Sequence, residues 1–410
     1  MNVAPFFLIT MISFVLTSSS CISHINDNSE KHNDDVVKSN MIIRDNHIGV
    51  ETTLDSITTY LAFDTGMRGE LFLDFNMIDR LFKPGEFEGT NALYHSQVLI
   101  DGKPTGHTSI RSMIPFYLRD EFPNFKIFGR WYDGAVCPDY ETDNRIWEIN
   151  FEKRIIAIHE KDTIPPNSVI FPLRLELNTL FITMPIKVVK GKDTLLLNEE
   201  YVLDYGNYTS FFFSDINNVG SNFIIRNHHL SRYRESGKSY VLLADKIEMP
   251  GSLFPIQACD DELIFYLQPS VIADKVIGVK PLLGFGILRH YNAMLDLKNE
   301  RFIMWNYDYS KYGKDEHISN YIRFNSNMGF SLYNGEVNSL CEDMNAIKSG
   351  LKLKDKVQKI NGIDLSQVSP NSLDSFIVFT PVGKDIELEI LRDTKPMTIK
   401  YTTDMNPIYK

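Results

Sequence analysis

Two similar stretches decide the fold: TTYLAFDTGMRGELFLD at residues 58–74 and NEEYVLDYGNYTSFFFS at residues 198–214. In both, two apolar residues precede an Asp-x-Gly triplet, which occupies 64–66 in the first stretch and 204–206 in the second. An apolar triplet starts seven residues after each Asp. An internal repeat of this kind predicts two related units, each of which presents one aspartate at the end of a strand.

A second pair of landmarks follows each stretch. Residues 133–158 and 280–305 both contain an apolar doublet, a short linker, and then a strand, a polar turn and another strand. Asp-Gly, Asn-Gly and Pro signals break the intervening apolar runs, which is typical of strands joined by tight turns. We therefore predict a mainly β fold. The predicted strands cover 60–63, 71–73, 154–158, 180–189, 201–203 and 211–213, and the predicted short helices cover 288–292 and 345–349.

Length and composition limit the function classes. The 410 residues suggest two or three domains, and 43% hydrophobic with 23% charged residues is an ordinary globular composition. A formal net charge of −11 gives no general attraction for nucleic acid. The four cysteines form no CxxC pair, so a zinc site of the usual spacing is not expected and no metal is predicted.

The N-terminus has the pattern of a targeting segment. An apolar core at 6–16 is followed by small residues and then by Cys21. This resembles a bacterial lipoprotein signal over residues 1–21, with lipidation at Cys21, and an ordinary cleaved signal is the alternative. Residues 22–42 are mostly polar and are predicted to form a flexible tether. The resemblance implies a cell-envelope lipoprotein, anchored in a membrane and facing the periplasm or the cell exterior.

The duplicated Asp-x-Gly loops resemble those of the pepsin and retropepsin superfamily of aspartic proteases. Ala-Phe-Asp-Thr-Gly at 62–66 matches that family's first motif, and Leu-Leu-Gly at 282–284 matches its second landmark. The resemblance implies two lobes, at 43–165 and 166–312, with a cleft between them. It also implies catalytic aspartates and their supporting loop residues, namely Asp64, Asp204, Thr65, Gly66, Tyr205 and Gly206.

Two facing carboxylates suit peptide hydrolysis without a cofactor. Because like charges at close range cannot both ionise, the pair shares a proton. The ionised carboxylate can then take a proton from water while the protonated one donates to the scissile carbonyl. The expected substrates are polypeptides held extended in the cleft. A β-hairpin flap over the cleft is predicted at residues 97–106, where Asp-Gly signals a turn.

Two positions depart from the family's pattern. Tyr205 stands where the family has Thr or Ser, and its phenol is too long for the same bond across to the other loop. We expect the phenol to point away from Thr65, into a pocket or towards the cleft. Cys137 stands where the first lobe should have the counterpart of Gly284.

The C-terminal residues 320–406 resemble a PDZ domain. Met-Gly-Phe at 328–330 resembles the loop that binds peptide carboxylates, so Gly329 and Phe330 are the candidate peptide-binding residues. Backbone N–H groups of such a loop can hold a C-terminus while the peptide adds as a strand. A polar linker is predicted at about 306–320, and removal of the domain is expected to leave the lobes folded.

These observations predict a bacterial, membrane-tethered aspartic endopeptidase that also binds peptide C-termini through a PDZ domain. The alternative is a catalytically inactive lipoprotein that binds peptides through the cleft and the PDZ groove. A glycosidase with two carboxylates is a weaker alternative, because that chemistry has no use for an Asp-x-Gly repeat. The distance between the carboxylates of Asp64 and Asp204 separates the protease from the glycosidase.

Overall fold

A computed structural model of the chain describes most of the residues after 36. The described residues are 37–44, 47–54, 56–66, 71–82, 91–93, 98–100, 103–104, 109–112, 132–138, 145–161, 163–176, 179–258, 263–269, 280–312, 326–368, 376–377 and 380–409. The predicted signal segment, Cys21 and most of the predicted tether lie outside them. Within the described residues, no helix has the length and apolar character needed to cross a membrane.

The fold is mainly β, as the sequence predicts, with few and short helices. The first lobe contains the helix α1 (Phe75–Leu81), which begins where the Asp74 carboxylate accepts the N–H of Met77. Its described strands are β1 (Val37–Arg44), β2 (His47–Leu54), β3 (Ile57–Phe63), β4 (Leu71–Leu73), β5 (Asn91–Leu93), β6 (Val98–Ile100), β7 (Lys103–Pro104), β8 (Ser109–Ser112), β9 (Gly134–Val136), β10 (Ile146–Asn150) and β11 (Ile155–His159).

The second lobe is built in the same order with longer strands. Its described helices are α2 (Val219–Asn227), α3 (Phe285–Leu288) and α4 (Tyr309–Tyr312). Its described strands are β12 (Val169–Glu176), β13 (Thr179–Lys190), β14 (Asp193–Asp204), β15 (Phe211–Phe213), β16 (Leu230–Arg234), β17 (Gly237–Ala244), β18 (Lys246–Glu248), β19 (Ile256–Gln257), β20 (Leu263–Leu267), β21 (Leu282–Gly284), β22 (Tyr291–Asp296) and β23 (Arg301–Asn306).

Strand pairing repeats between the lobes, in agreement with the predicted sequence repeat. In the first lobe β3 runs parallel to β9, β9 runs antiparallel to β4, and β4 runs parallel to β8. In the second lobe β14, β21, β15 and β20 have the same relations. The strand that ends at each Asp is thus held by the apolar doublet that the sequence analysis singled out.

One antiparallel sheet joins the two lobes. Its strand order is β1–β11–β10–β22–β23–β12, so the hairpins of the second sequence landmark lie side by side at its centre. Each edge strand leaves this sheet halfway along its length to pair within its own lobe, β1 with β2 and β12 with β13. A single apolar core runs through both lobes. The lobes therefore share one scaffold, which fixes the distance between their Asp loops.

The C-terminal unit has its own core and a helix, α5 (Asn345–Lys348). Its described strands are β24 (Phe330–Tyr333), β25 (Glu336–Cys341), β26 (Lys356–Ile360), β27 (Ile363–Asp364), β28 (Asp385–Arg392) and β29 (Lys395–Thr402), and its 3₁₀ helices are Leu365–Gln367 and Pro407–Tyr409. Strand β25 also pairs with β16 of the second lobe, so one sheet continues from that lobe into this unit.

Most predicted elements agree with the structure, and three predictions differ from it. All six predicted strands and the helix at 345–349 occur within one or two residues of their expected limits or inside longer strands. The predicted helix at 288–292 is wrong: α3 ends at Leu288 and β22 begins at Tyr291. Strand β1 starts at Val37, inside the predicted tether. The first part of the predicted linker is ordered, because β23 reaches Asn306 and α4 follows.

Candidate active site

The two Asp-x-Gly loops meet between the lobes. Asp64 follows β3 and Asp204 is the last residue of β14, and each carboxylate accepts the N–H of the Gly two residues later, at 2.8 Å and 3.0 Å. This Asx-type turn needs the Asp side chain two residues before the N–H that it accepts. It turns the chain sharply, so each carboxylate stays at the tip of its loop and faces the other lobe.

Each glycine is packed against the aspartate of the opposite lobe. A Cβ on Gly66 would lie 2.6 Å from Oδ1 of Asp204, and a Cβ on Gly206 would lie 2.2 Å from Cγ of Asp64. Real Cβ atoms do not approach so closely, so only glycine fits at either position. The close packing of backbone against carboxylate is what brings the two acids together.

Thr65 ties the first loop to the second. Its hydroxyl donates to the carbonyl of Leu203 at 2.9 Å and accepts the N–H of Tyr205 at 3.0 Å. Both bonds are buried, where a hydrogen bond between neutral groups is strongest. The crossing contact expected from the family resemblance is therefore made from the Thr65 side.

Tyr205 cannot return that contact with its side chain. The ring is fully buried in the core and packs edge-on against Phe63 at 5.8 Å between centroids. As expected, the phenol points away from Thr65, but it enters the core and not the cleft. Its hydroxyl has no hydrogen-bond partner within the described part of the chain, and burial raises the pKa of Tyr205 far above its ordinary range.

The two carboxyl groups lie within hydrogen-bond reach and share a side-chain hydrogen bond. Asp64 is buried at 6% exposure and Asp204 is half-buried. Burial raises the pKa of Asp204 well above its ordinary value, and the charge of Asp64 and the shared bond raise it further. The N–H groups of Gly206 and Asn207 oppose this rise because they favour the ionised form. The pair thus retains one proton over a wide pH range.

The landmark glycine of the second lobe is required by close packing. A Cβ on Gly284 would lie 2.1 Å from the carbonyl oxygen of Thr209. In the first lobe Cys137 follows the β9 doublet at the corresponding place, and it is fully buried. Val136 just before it accepts the N–H of Asp64 at 3.0 Å, so the strand position is kept although the residue type differs.

The predicted flap hairpin is described in part. Strands β6 and β7 pair antiparallel, Leu99 opposite Pro104 and Ile100 opposite Lys103. The Asp-Gly turn at 101–102 lies outside the described residues. Strand β6 also pairs with β2, which precedes the Asp64 strand, so the hairpin starts from the first lobe as expected.

The candidate peptide loop of the C-terminal unit, residues 328–330, is buried. Gly329 has φ of +78°, which favours glycine, and Phe330 is buried in the unit's core. The N–H groups of Met328 and Gly329 both bond to Ser326, at 3.1 Å and 3.4 Å. Among the described strands β24 pairs only with β25, so its other edge can accept a further strand.

Sequence reasoning missed one residue next to the Asp64–Asp204 pair, the dyad. His47 at the start of β2 is 3% exposed, and its Nε2 lies 3.1 Å from the carbonyl oxygen of Gly206. A lone histidine before an apolar strand carries no local signal for such a contact, because its partner is 159 residues away in the chain. No cluster of three or more His, Cys, Asp or Glu side chains that could hold a metal ion occurs in the described residues.

Comparison with known proteins finds a structural likeness and no sequence match. No protein-family model and no curated protein matches the chain. Among solved structures, the chain is similar to the crystal structure of an aspartic proteinase from Irpex lacteus, with 11% sequence identity and a TM-score of 0.44. The likeness covers 67% of this chain and 98% of that chain.

Proposed function

We propose that this chain is an aspartic endopeptidase that hydrolyses polypeptides with the Asp64–Asp204 pair. The observation that carries the proposal is the reciprocal packing of each Asp-x-Gly loop on the opposite carboxylate. Two carboxyl groups in hydrogen-bond contact can activate one water molecule for attack on a peptide bond. The two carboxyl groups of a glycosidase are about 5 Å or more apart, which leaves room for the sugar or for water.

The two acids act as one singly protonated unit. The protonated carboxyl donates to the scissile carbonyl, and the ionised carboxylate takes a proton from the attacking water. When the tetrahedral intermediate collapses, the carboxyl that took the water proton passes a proton to the leaving amine. The other carboxylate regains a proton from a hydroxyl of the intermediate, so the pair is again singly protonated.

The departure at Tyr205 is compatible with this activity. Thr65 makes both of its crossing bonds to backbone groups of the second loop, at Leu203 and Tyr205, and these do not depend on the side chain at 205. The Tyr205 ring fills the core below the dyad. The loop is therefore positioned by packing on that side and by hydrogen bonds on the other.

Cleavage of a peptide library tests the proposal. Asp64→Asn and Asp204→Asn should each lower kcat by at least about 1,000-fold, the scale seen when a catalytic residue is removed. Asp193→Asn, at an exposed hairpin turn, is the matched control and should cleave like the unaltered protein. If the unaltered protein binds extended peptides but cleaves none, the chain is the inactive peptide-binding lipoprotein instead.

We also propose that the C-terminal unit is a PDZ domain that binds peptide C-termini along the open edge of β24. A terminal carboxylate would take the N–H groups of the 328–330 loop in place of their internal bonds to Ser326. The Asp64→Asn protein should bind a labelled peptide with a free C-terminus and should lose the same peptide carrying a C-terminal amide. Equal binding of both forms would contradict carboxylate recognition.

Finally, we propose that Cys21 is lipidated and anchors the protein at the envelope of a bacterial cell. The apolar segment and small residues before Cys21 support this assignment. In a bacterial host, Cys21→Ala should abolish incorporation of labelled palmitate and release the protein from the membrane fraction, whereas Ser20→Ala should not. Unchanged fractionation of Cys21→Ala would remove the lipid anchor from the proposal.

A further inference from the structure

A buried histidine of the first lobe is bonded to the catalytic loop of the second. Nε2 of His47 lies 3.1 Å from the Gly206 carbonyl oxygen. Because a carbonyl only accepts, Nε2 carries the hydrogen and donates it. Tyr132 fixes this end of the strand: its hydroxyl donates to the carbonyl of His47 at 2.9 Å, and its ring lies edge-on to the imidazole.

The residue whose carbonyl is bonded also contacts Asp204 directly. The N–H of Gly206 donates to Oδ1 of Asp204 at 3.0 Å. The next peptide is fixed as well, because the N–H of Asn207 donates to the main-chain carbonyl of Asp204 at 3.3 Å. A hydrogen bond that holds the Gly206 carbonyl therefore fixes the orientation of Gly206, and with it the direction of the N–H that the Asp204 carboxylate accepts.

We propose that His47 is a positioning residue for Asp204: it donates to the Gly206 carbonyl and so holds Gly206 in place, with its N–H on the Asp204 carboxylate. This role deepens the proposed protease function and rests on it for its effect on catalysis. The titratable side chains beside this group include Asp64, which faces Asp204, and Tyr132, which faces His47.

The equivalent place in the second lobe supplies a matched control. The hairpin from β1 to β2 pairs Arg44 with His47, and the hairpin from β12 to β13 pairs Glu176 with Thr179. Thr179 is thus the counterpart of His47, and it is also buried. In the described chain no hydrogen bond joins Thr179 to Gly66. The hydrogen bond from His47 to Gly206 therefore has no counterpart at Thr179. Thr179→Val should leave the Asp64–Asp204 pair unchanged.

The experiment compares His47→Leu, His47→Gln and Thr179→Val in the full chain. His47→Leu removes the donor, so kcat should fall about fivefold to tenfold with KM unchanged, the scale of one hydrogen bond. The alkaline limb of the kcat profile should move up by about half a pH unit, because the ionised form of Asp204 loses support. His47→Gln keeps an N–H donor and should recover most of kcat. Thr179→Val should match the unaltered protein.

A second measurement does not depend on activity. Carbon-13 NMR titration of the aspartate carboxyl groups should show a higher Asp204 pKa in His47→Leu than in the unaltered protein, and a smaller change in His47→Gln. An unchanged Asp204 pKa in a folded His47→Leu protein would overturn the proposal. If the unaltered protein cleaves no peptide but His47→Leu still raises the Asp204 pKa, the protease function is wrong and the positioning role of His47 stands.

Discussion

At the scale of single residues, the fold disfavours the ionised form of Asp204. Burial and the neighbouring Asp64 raise its pKa well above its ordinary value of 3.8, so ionising it in the folded state costs more than in the unfolded chain. A carboxyl whose folded pKa is raised stabilises the protein below its unfolded pKa. That stability is lost as the pH rises through the folded pKa.

Asp204→Asn should therefore stabilise the protein at pH 7 while it abolishes cleavage. We expect a gain of about 1–3 kcal/mol in the free energy of unfolding at pH 7, falling to nearly zero near pH 3, where the native carboxyl is protonated in both states. Urea unfolding at several pH values measures it. Asp193→Asn, at an exposed turn, should show no such trend. A variant less stable than the parent at pH 7 would contradict the raised pKa.

Tyr205 carries a second buried polar group with a cost. Its hydroxyl has no partner among the described residues, and an unsatisfied buried hydroxyl costs about 1–3 kcal/mol. Tyr205→Phe should thus raise the free energy of unfolding by about 1 kcal/mol with kcat unchanged. Tyr205→Thr copies the residue type of Thr65 in the first loop but empties the space of a fully buried ring, and should cost about 3 kcal/mol or more. Urea denaturation separates the two; a destabilised Tyr205→Phe would show that the hydroxyl has a partner.

The sequence predicts some of these residues and not others for physical reasons. Asp64 and Gly66 form a local turn, in which the Asp side chain accepts the Gly N–H, so a short motif reveals them. The repeat of that motif locates the partner loop, to which Thr65 bonds. His47 acts across a long sequence separation, so no local pattern reveals it. The burial of the Tyr205 ring likewise depends on Phe63 of the other lobe.

At the scale of elements, strand β25 joins the C-terminal unit to the second lobe. It pairs with β16, Arg232 opposite Cys341 and Arg234 opposite Ser339. Just beyond its end the Glu342 carboxylate accepts from the hydroxyls of Ser231, at 2.5 Å, and Tyr233, at 2.7 Å, and it also pairs with Lys238. The strand junction is therefore closed by a charged cluster.

Glu342→Gln should weaken this junction in a pH-dependent way. Its partners, Lys238 first, lower the pKa of Glu342 from 4.5 to about 2, so the carboxylate contributes stability above about pH 4.5 that is lost as the pH falls towards 2. Because the side chain is 31% exposed, solvent screening reduces the expected loss to about 1 kcal/mol at pH 7. Urea unfolding at pH 7 and pH 3 measures it. Glu387→Gln, in the exposed pair with Lys400, is the control and should change stability by less than about 0.5 kcal/mol.

Strands next to turn signals are predictable from the sequence, and strands buried on both faces are not. The triplets at β4 and β15 occur where the sequence predicts them, next to turn signals. The wrong helix at 288–292 overlaps β22, whose six residues are all buried. A strand buried on both faces shows no alternation, so its apolar run cannot be distinguished from a helix. Pairing between β16 and β25 has no sequence signal either, because register between distant strands is set by packing.

At the scale of the whole molecule, the C-terminal unit and the second lobe share a core. Lys354 of the unit pairs with Glu235 of the lobe at 2.9 Å, beside the strand junction. The apolar side chains of this shared core are Tyr208, Leu230, Val241, Ile264 and Tyr266 from the lobe, with Cys341, Met344 and Ile408 from the unit. Tyr208 lies four residues after Asp204, so the shared core reaches the loop of the second aspartate.

The sequence alone led us to expect that the lobes stay folded when the C-terminal unit is removed. The shared core argues against this expectation. Ending the chain at residue 312 would expose the five lobe side chains of the core, each worth about 1.5–3 kcal/mol when fully exposed. It would also leave β16 as an open edge, which favours aggregation. We therefore expect the truncated protein to be insoluble or to unfold at much lower urea concentration than the full chain, with cleavage of short peptides lost as well.

Supplying the unit as a separate chain tests whether contact or covalent linkage matters. Residues 22–312 and 326–410, expressed together, should co-purify and recover cleavage of short peptides, because the interface supplies strand pairing, ion pairs and a buried core. Met344→Asp in the 326–410 chain places a charge in that core and should abolish both association and recovery. Lys395→Asp, at the exposed start of β29, is the matched control and should preserve them. A soluble, fully active 22–312 chain on its own would show that the unit serves only to recruit substrates.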